Sequence, residues 1–134
     1  MRKVTILLAD DHPMVCEVVA RLLKPACRIV ARVGDGWALI EAASKTKPDV
    51  IVTDISMPIL NGIEAATRLR EFGFPSRIIF LTCHEGTDFI KACFAAGALA
   101  YVSKLRMSTD LWPAIREALA GHSFVSPIAS NTAS

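Results

Sequence analysis

Asp10, Asp11, Asp54, Thr82 and Lys104 are the residues of this 134-residue chain whose types and spacing could do chemistry together. Each follows a short apolar run. Val4 to Ala9 precedes Asp10-Asp11, Val50 to Thr53 precedes Asp54, Ile78 to Leu81 precedes Thr82, and Leu99 to Ser103 precedes Lys104. Three carboxylates crowded at one edge repel one another. A hard divalent cation relieves that repulsion, and a set of oxygen donors favours Mg²⁺. Mg²⁺ keeps several of its waters and commonly bridges carboxylate to phosphate oxygens. Lysine adds a point positive charge and threonine a hydroxyl donor. Together they suit a phosphoryl group with charge on its equatorial oxygens. A carboxylate can itself be the nucleophile, which yields an aspartyl phosphate. Singly, each residue says little. An Asp after a strand is commonly a cap or turn residue, Thr82 could satisfy a backbone group, and Lys104 could be a solvated charge. Their joint occurrence at four strand ends carries the signal.

Such a constellation needs elements that bring the strand ends together. Val4–Ala9 reads as a buried strand. Pro13 suits a first helical turn with Asp11 or His12 as cap. Met14, Val15, Val18, Val19, Leu22 and Leu23 follow at helical spacing, and Pro25 marks the stop. Strands are expected over 28–33, 50–53, 78–81 and 99–103, and helices over 37–45, 63–72, 87–96 and 110–120. Gly34-Asp35-Gly36 reads as a turn, and Pro58 with Asn61-Gly62 as loop punctuation. Gly97 and Gly121 read as helix stops. Strands alternating with helices predict an α/β fold, a doubly wound five-stranded parallel sheet with helices on both faces. Its crossovers should be right-handed, and its sites should lie at the carboxyl ends of the strands.

Bulk properties narrow the function classes. Hydrophobic residues make up 52% and charged residues 21%, which is globular and not disordered. The net charge is +2, with Lys and Arg scattered along the chain, so no nucleic-acid-binding patch is expected. No apolar run approaches the roughly 18 residues of a membrane span. Met1-Arg2-Lys3 and the apolar run after it resemble the start of a signal peptide, but that run is short and ends in Asp10-Asp11 with no cleavage site. A cytoplasmic location is expected. Cys16, Cys27, Cys83 and Cys93 match no zinc or redox spacing and read as free thiols.

The motifs resemble the receiver domains of two-component response regulators, over residues 3 to about 121. Leu8-Ala9-Asp10-Asp11-His12-Pro13 is similar to the start of regulators with a LuxR-type helix-turn-helix output. Asp54-Ile55-Ser56-Met57-Pro58, followed by Asn61-Gly62, resembles the family's phosphoacceptor loop. Ala96-Gly97-Ala98, Tyr101 and Lys104 resemble its fifth-strand region. The resemblance implies a flavodoxin-like (βα)5 receiver over residues 1–121, followed by a linker or disordered tail over 122–134, with disorder expected over 130–134. It implies that Asp54 accepts a phosphoryl group from a cognate sensor histidine kinase. Asp11, Asp54 and the backbone carbonyl of Ser56 would bind Mg²⁺, and Asp10 would assist indirectly. Lys104 would pair with phosphoryl oxygens. Thr82 and Tyr101 would form a switch pair, with the ring moving inward as the Thr82 hydroxyl turns to the phosphate. A homodimer on phosphorylation is implied, as is DNA binding only through an output domain absent from this chain. No membrane partner is implied.

Some positions depart from the family pattern. Cys83 follows Thr82, where Ala or Gly is usual. Leu105 follows Lys104, where proline is frequent and often cis, which leaves the isomer of that bond open. His84 and Ser56 stand at variable positions near the site. Two rivals remain. An enzyme of the haloacid dehalogenase type also uses an Asp nucleophile and Mg²⁺, but it carries Asp-x-Asp after its first strand. A phosphorylation-independent binding module on the same fold usually loses an acidic residue, the Thr or the Lys, and this chain keeps them all.

Overall fold

A computed structural model describes residues 2–127. The tail expected to be disordered, 130–134, lies outside the described residues, as does Met1. The chain runs β1 (Val4–Ala9), α1 (Pro13–Leu23), β2 (Cys27–Val33), α2 (Gly36–Thr46), β3 (Val50–Thr53), α3 (Gly62–Glu71), β4 (Arg77–Thr82), α4 (Thr87–Ala95) and β5 (Ala100–Ser103). A short 3₁₀ turn over Lys104–Arg106 leads into α5 (Met107–Leu119), and β6 (Phe124–Val125) follows. All pairings are parallel, in the order β2-β1-β3-β4-β5-β6.

Alternation along the strands divides the core. Leu7, Ala9, Ile51, Phe80 and Tyr101 face one side, where they meet Leu39 of α2, Ala65 and Leu69 of α3 and Cys93 of α4. Ile6, Leu8, Val50, Val52, Ile79 and Val102 face the other, against Val19 and Leu23 of α1 and Leu111 and Ile115 of α5. This is the period-two signature of strands buried on both faces.

The structure adds a sixth strand to the five expected. Phe124 and Val125 pair with Ala100 and Tyr101. Two residues are too short to show a period in the sequence, so this strand had no signal of its own. The helix starts also differ. Asn61 and Gly62 are not loop punctuation but the head of α3. Asn61 accepts the Glu64 N–H at 2.8 Å while Glu64 accepts the Asn61 N–H at 3.2 Å, a reciprocal capping box. Asp35 caps α2 by accepting the Ala38 N–H at 2.8 Å. His12 occupies the cap position of α1, yet its side chain makes no capping bond. α5 begins at Met107 rather than Asp110, which moves Pro113 from the first turn into the helix interior. Its missing N–H removes the bond to the Thr109 carbonyl. The Lys104–Leu105 bond is trans.

Candidate functional site

From the carboxyl end of β1 the chain crosses to β2 on one side and then to β3 on the other. Open sheets form crevices at such a reversal of strand order. The register places Ala9 opposite Thr53. The next residue on each strand is an aspartate. Asp10 donates its backbone N–H to the Val33 carbonyl at 2.9 Å, and Asp54 donates its own to the Ala9 carbonyl at 2.8 Å. The sheet ladder thus sets both carboxylates side by side.

Lys104 arrives from the end of β5. Its Nζ lies 2.8 Å from Asp10 Oδ2 and 2.8 Å from Asp54 Oδ2. These three side chains are at most 9% exposed. Burial opposes the charge on Lys104. The hydrogen bonds and charges of Asp10 and Asp54 outweigh it and hold its pKa above the ordinary lysine value. The second Asp54 oxygen, Oδ1, accepts the Ile55 N–H at 2.7 Å.

His12, a cap candidate by its position before Pro13, joins the cluster. Its Nδ1 lies 3.0 Å from Asp10 Oδ1 and 3.2 Å from Asp11 Oδ1. Asp10 Oδ1 also accepts the His12 N–H at 2.9 Å. Ligand atoms from Asp10, Asp11, His12 and Asp54 all fall within 4.8 Å of one another. One lysine neutralises only one of the three carboxylates, and the Asp11 side chain, 37% exposed, opens to solvent. Hard oxygen donors with surplus negative charge and an open side fit Mg²⁺.

Gly62 explains why the loop after Asp54 can fold back so tightly. It donates its N–H to the Ile55 carbonyl at 2.8 Å. A Cβ at this position would stand 1.9 Å from the Asp54 carbonyl oxygen. Only glycine lets α3 start against the backbone of Asp54.

Thr82 ends β4, between β3 and β5, and is fully buried. Its hydroxyl accepts the His84 N–H at 3.2 Å, within its own loop. Tyr101 is also fully buried and donates its hydroxyl to the His84 carbonyl. The ring therefore already fills the inward position in this conformation. Ser56 is exposed, and its hydroxyl lies 2.5 Å from His84 Nε2. The His84 ring packs against Phe89 at 4.6 Å between centroids. His84, read from sequence as a variable loop residue, thus links the loops after β3 and β4. Cys83 is exposed, whereas Cys16, Cys27 and Cys93 are buried. All four are free thiols. Among the described residues, no helix is long and apolar enough to cross a membrane.

Comparison with known proteins bears on the whole arrangement. The family model of the response regulator receiver domain matches residues 6–116. The nitrate/nitrite response regulator protein NarL of Escherichia coli K12 is 34% identical over 124 residues, which span 91% of this chain and 57% of that protein. The transcriptional regulatory protein YxjL of Bacillus subtilis is 34% identical over 121 residues, covering 89% of this chain and 56% of its own. The chain thus spans a little over half the length of these relatives. A two-component response regulator of the LuxR family from Aurantimonas superposes with a TM-score of 0.89 at 34% identity, over 99% of this chain and 100% of that one. The receiver domain of a NarL-type regulator from Mycobacterium tuberculosis does so at 0.86 and 27% identity, over 91% and 100%. The chain belongs to the receiver domains of two-component response regulators, and its relatives are of the NarL and LuxR type.

Proposed function

We propose that this receiver is a phosphorylation switch in which Asp54 takes a phosphoryl group from a sensor histidine kinase. The observation that carries the reading is Lys104, whose ammonium is 2.8 Å from the buried Asp54 carboxylate and 2.8 Å from that of Asp10. A buried cation at a buried carboxylate is already placed to hold the charge of a phosphoryl group added there. An Asp54 oxygen bonds to phosphorus as the donor's bond to phosphorus breaks. The bonding electron pair leaves with the donor, an imidazole in the case of phosphohistidine. Attack by water on phosphorus later releases phosphate and restores the carboxylate. Asp11, Asp54 and the Ser56 carbonyl would hold Mg²⁺, with Asp10 assisting. The ion would neutralise charge on the carboxylates and the phosphoryl oxygens.

The protein is on this reading a signalling protein and not an enzyme acting on a separate substrate. The new charge draws the Thr82 hydroxyl away from the His84 N–H. Losing that bond loosens the loop that also receives the Tyr101 hydroxyl, and α4 repacks. The altered face then serves a second copy, and DNA is reached through an output domain outside this chain. The working compartment is the cytoplasm, where the kinase's catalytic part and DNA both lie.

Incubation with acetyl phosphate and Mg²⁺, read by intact mass, tests the reading. One phosphoryl group per chain is expected, none without a divalent cation, and none in Asp54→Asn. An Asp54→Asn protein that still gains the same mass would overturn the assignment.

A further inference from the structure

A second buried polar network starts beside Lys104 and ends in the segment that leaves the domain. Ser103 closes β5, and its hydroxyl accepts the Leu105 N–H at 3.2 Å. That bond caps the 3₁₀ turn whose first residue is Lys104. Ser103 donates its own N–H to the Ser126 hydroxyl at 3.2 Å. The same hydroxyl donates to Asp110 Oδ2 at 2.6 Å. Ser126 also donates its backbone N–H to the Tyr101 carbonyl at 2.9 Å. Asp110 in turn receives Arg106 Nε at 2.8 Å and Arg106 Nη2 at 3.3 Å. Arg106 is the last residue of the turn.

The turn carrying Lys104 is therefore tied at both ends to one pair of side chains. Ser103 links its start to Ser126, and Arg106 links its end to Asp110. Ser126 is 1% exposed and Asp110 is 6% exposed. A buried hydroxyl needs a partner for its proton and for a lone pair, and here it has both. Burial pushes the Asp110 pKa up, but the hydrogen bonds from Arg106 and Ser126 outweigh it and hold the group below the ordinary carboxylate value. Asp110 thus stays an anionic anchor.

We propose that Ser126 and Asp110 are positioning residues for Lys104, so that the chain leaving the domain through β6 completes the phosphoacceptor site. The proposal rests on the reading of Asp54 given above. Lys104 must span from the end of β5 to a point shared by Asp10 and Asp54, and small displacements of such a group slow a transfer step. Coupling of this kind is reciprocal. A phosphoryl group that pulls on Lys104 changes the hold on β6, and anything that strips β6 from β5 loosens Lys104.

The test uses the 134-residue chain with Mg²⁺ and acetyl phosphate. It reads the initial rate of mass gain together with the ¹⁵N resonance of Lys104 Nζ. Ser126→Ala is expected to slow the rate about two- to tenfold, the size a single hydrogen bond supplies, and to move the Lys104 resonance. Ser126→Thr keeps the hydroxyl and should keep both. Asp110→Asn removes the anchor's charge from the other side and should act as Ser126→Ala does, which serves if Ser126→Ala does not fold. A wild-type rate and an unmoved Lys104 resonance in Ser126→Ala would overturn the proposal. Equal slowing in Ser126→Ala and Ser126→Thr would also overturn it, because packing and not the hydroxyl would then matter. If the unaltered protein takes no phosphoryl group, the Asp54 reading fails. The Lys104 resonance then decides the positioning claim alone, a shift in Ser126→Ala supporting it and no shift overturning it.

Discussion

The chemistry proposed for Asp54 rests on what its two oxygens meet. Oδ1 is held by the Ile55 N–H and Oδ2 by Lys104, so the carboxylate is oriented before any donor arrives. Thr82 is the third participant in the proposed switch, and its hydroxyl now accepts the His84 N–H. Thr82→Ala should still be phosphorylated on Asp54 while losing most of the response, because a phosphate without differential contacts shifts no equilibrium. Amide NMR spectra with and without beryllofluoride check this, and full wild-type shifts over residues 83–104 in Thr82→Ala would contradict it. Tyr101 gives a second expectation at this scale. Burial, then the nearby Glu85, Cys93 and Cys83, push its hydroxyl from 10.0 up to about 12. Below pH 10 folded and unfolded chains both keep the proton, and the contribution to stability is complete. As pH rises toward about 12 the unfolded chain ionises first, and that contribution is lost. Burial pushes the Cys93 thiol up to about 12 and the Cys27 thiol up to about 11, and both act with the same sign. Tyr101→Phe should therefore flatten the alkaline fall in stability without abolishing it, measured by urea unfolding between about pH 9 and 12.

The elements were legible in the sequence where an apolar run is bounded or a period runs long enough. β1, β3 and α1 start where their patterns start, because Val4–Ala9 and Val50–Thr53 are bounded apolar runs and the 13–23 stripe repeats at helix spacing. α2 and α3 each start one residue before the sequence pattern does, for a shared reason. Gly36 and Gly62 look like punctuation, but each opens a helix whose first turn abuts a backbone carbonyl. A Cβ would stand 2.2 Å from the Leu60 oxygen at Gly36 and 1.9 Å from the Asp54 oxygen at Gly62. Asn61 followed three residues later by Glu64 was the available sign of the α3 cap. Gly62→Ala is expected to lower stability by about 1–3 kcal/mol, the usual cost of overpacking, and to slow phosphorylation by shifting Asp54. Urea unfolding and the acetyl phosphate rate check both. A variant with wild-type stability and rate would show that the loop has room the structure denies it.

At the scale of the molecule, one sheet joins two apolar layers, with α2, α3 and α4 on one face and α1 and α5 on the other. The parallel sheet and the meeting of Asp10, Asp11, Asp54 and Lys104 followed from alternating elements and strand-end residues, whereas the strand order came from the structure. The links through His12, His84 and Ser126 did not, because they depend on side-chain directions in loops without a period. Charge placement was also hidden. Lys and Arg read as scattered, yet Lys3, Arg21, Lys24, Arg28 and Arg32 line one cleft between α1 and the outer strand β2, with Glu17 among them. Because the two layers share the sheet, they should unfold together. Trp37 stands on α2 and Trp112 on α5, one helix from each layer. Single-tryptophan variants, Trp37→Phe and Trp112→Phe, should show coincident unfolding by equilibrium and by fluorescence. Leu39→Ala, at a fully buried site, should lower stability by about 2–5 kcal/mol through either reporter. Separate transitions would mean that the layers are independent.

The proposed switch requires that the acyl phosphate form on Asp54. Borohydride reduces an aspartyl phosphate to homoserine, and peptide mass spectrometry then locates the changed residue. After acetyl phosphate, Mg²⁺ and borohydride, homoserine is expected at position 54 and nowhere else in the chain. Homoserine at position 10 or 11, or none in a protein that has gained a phosphoryl group, would contradict it.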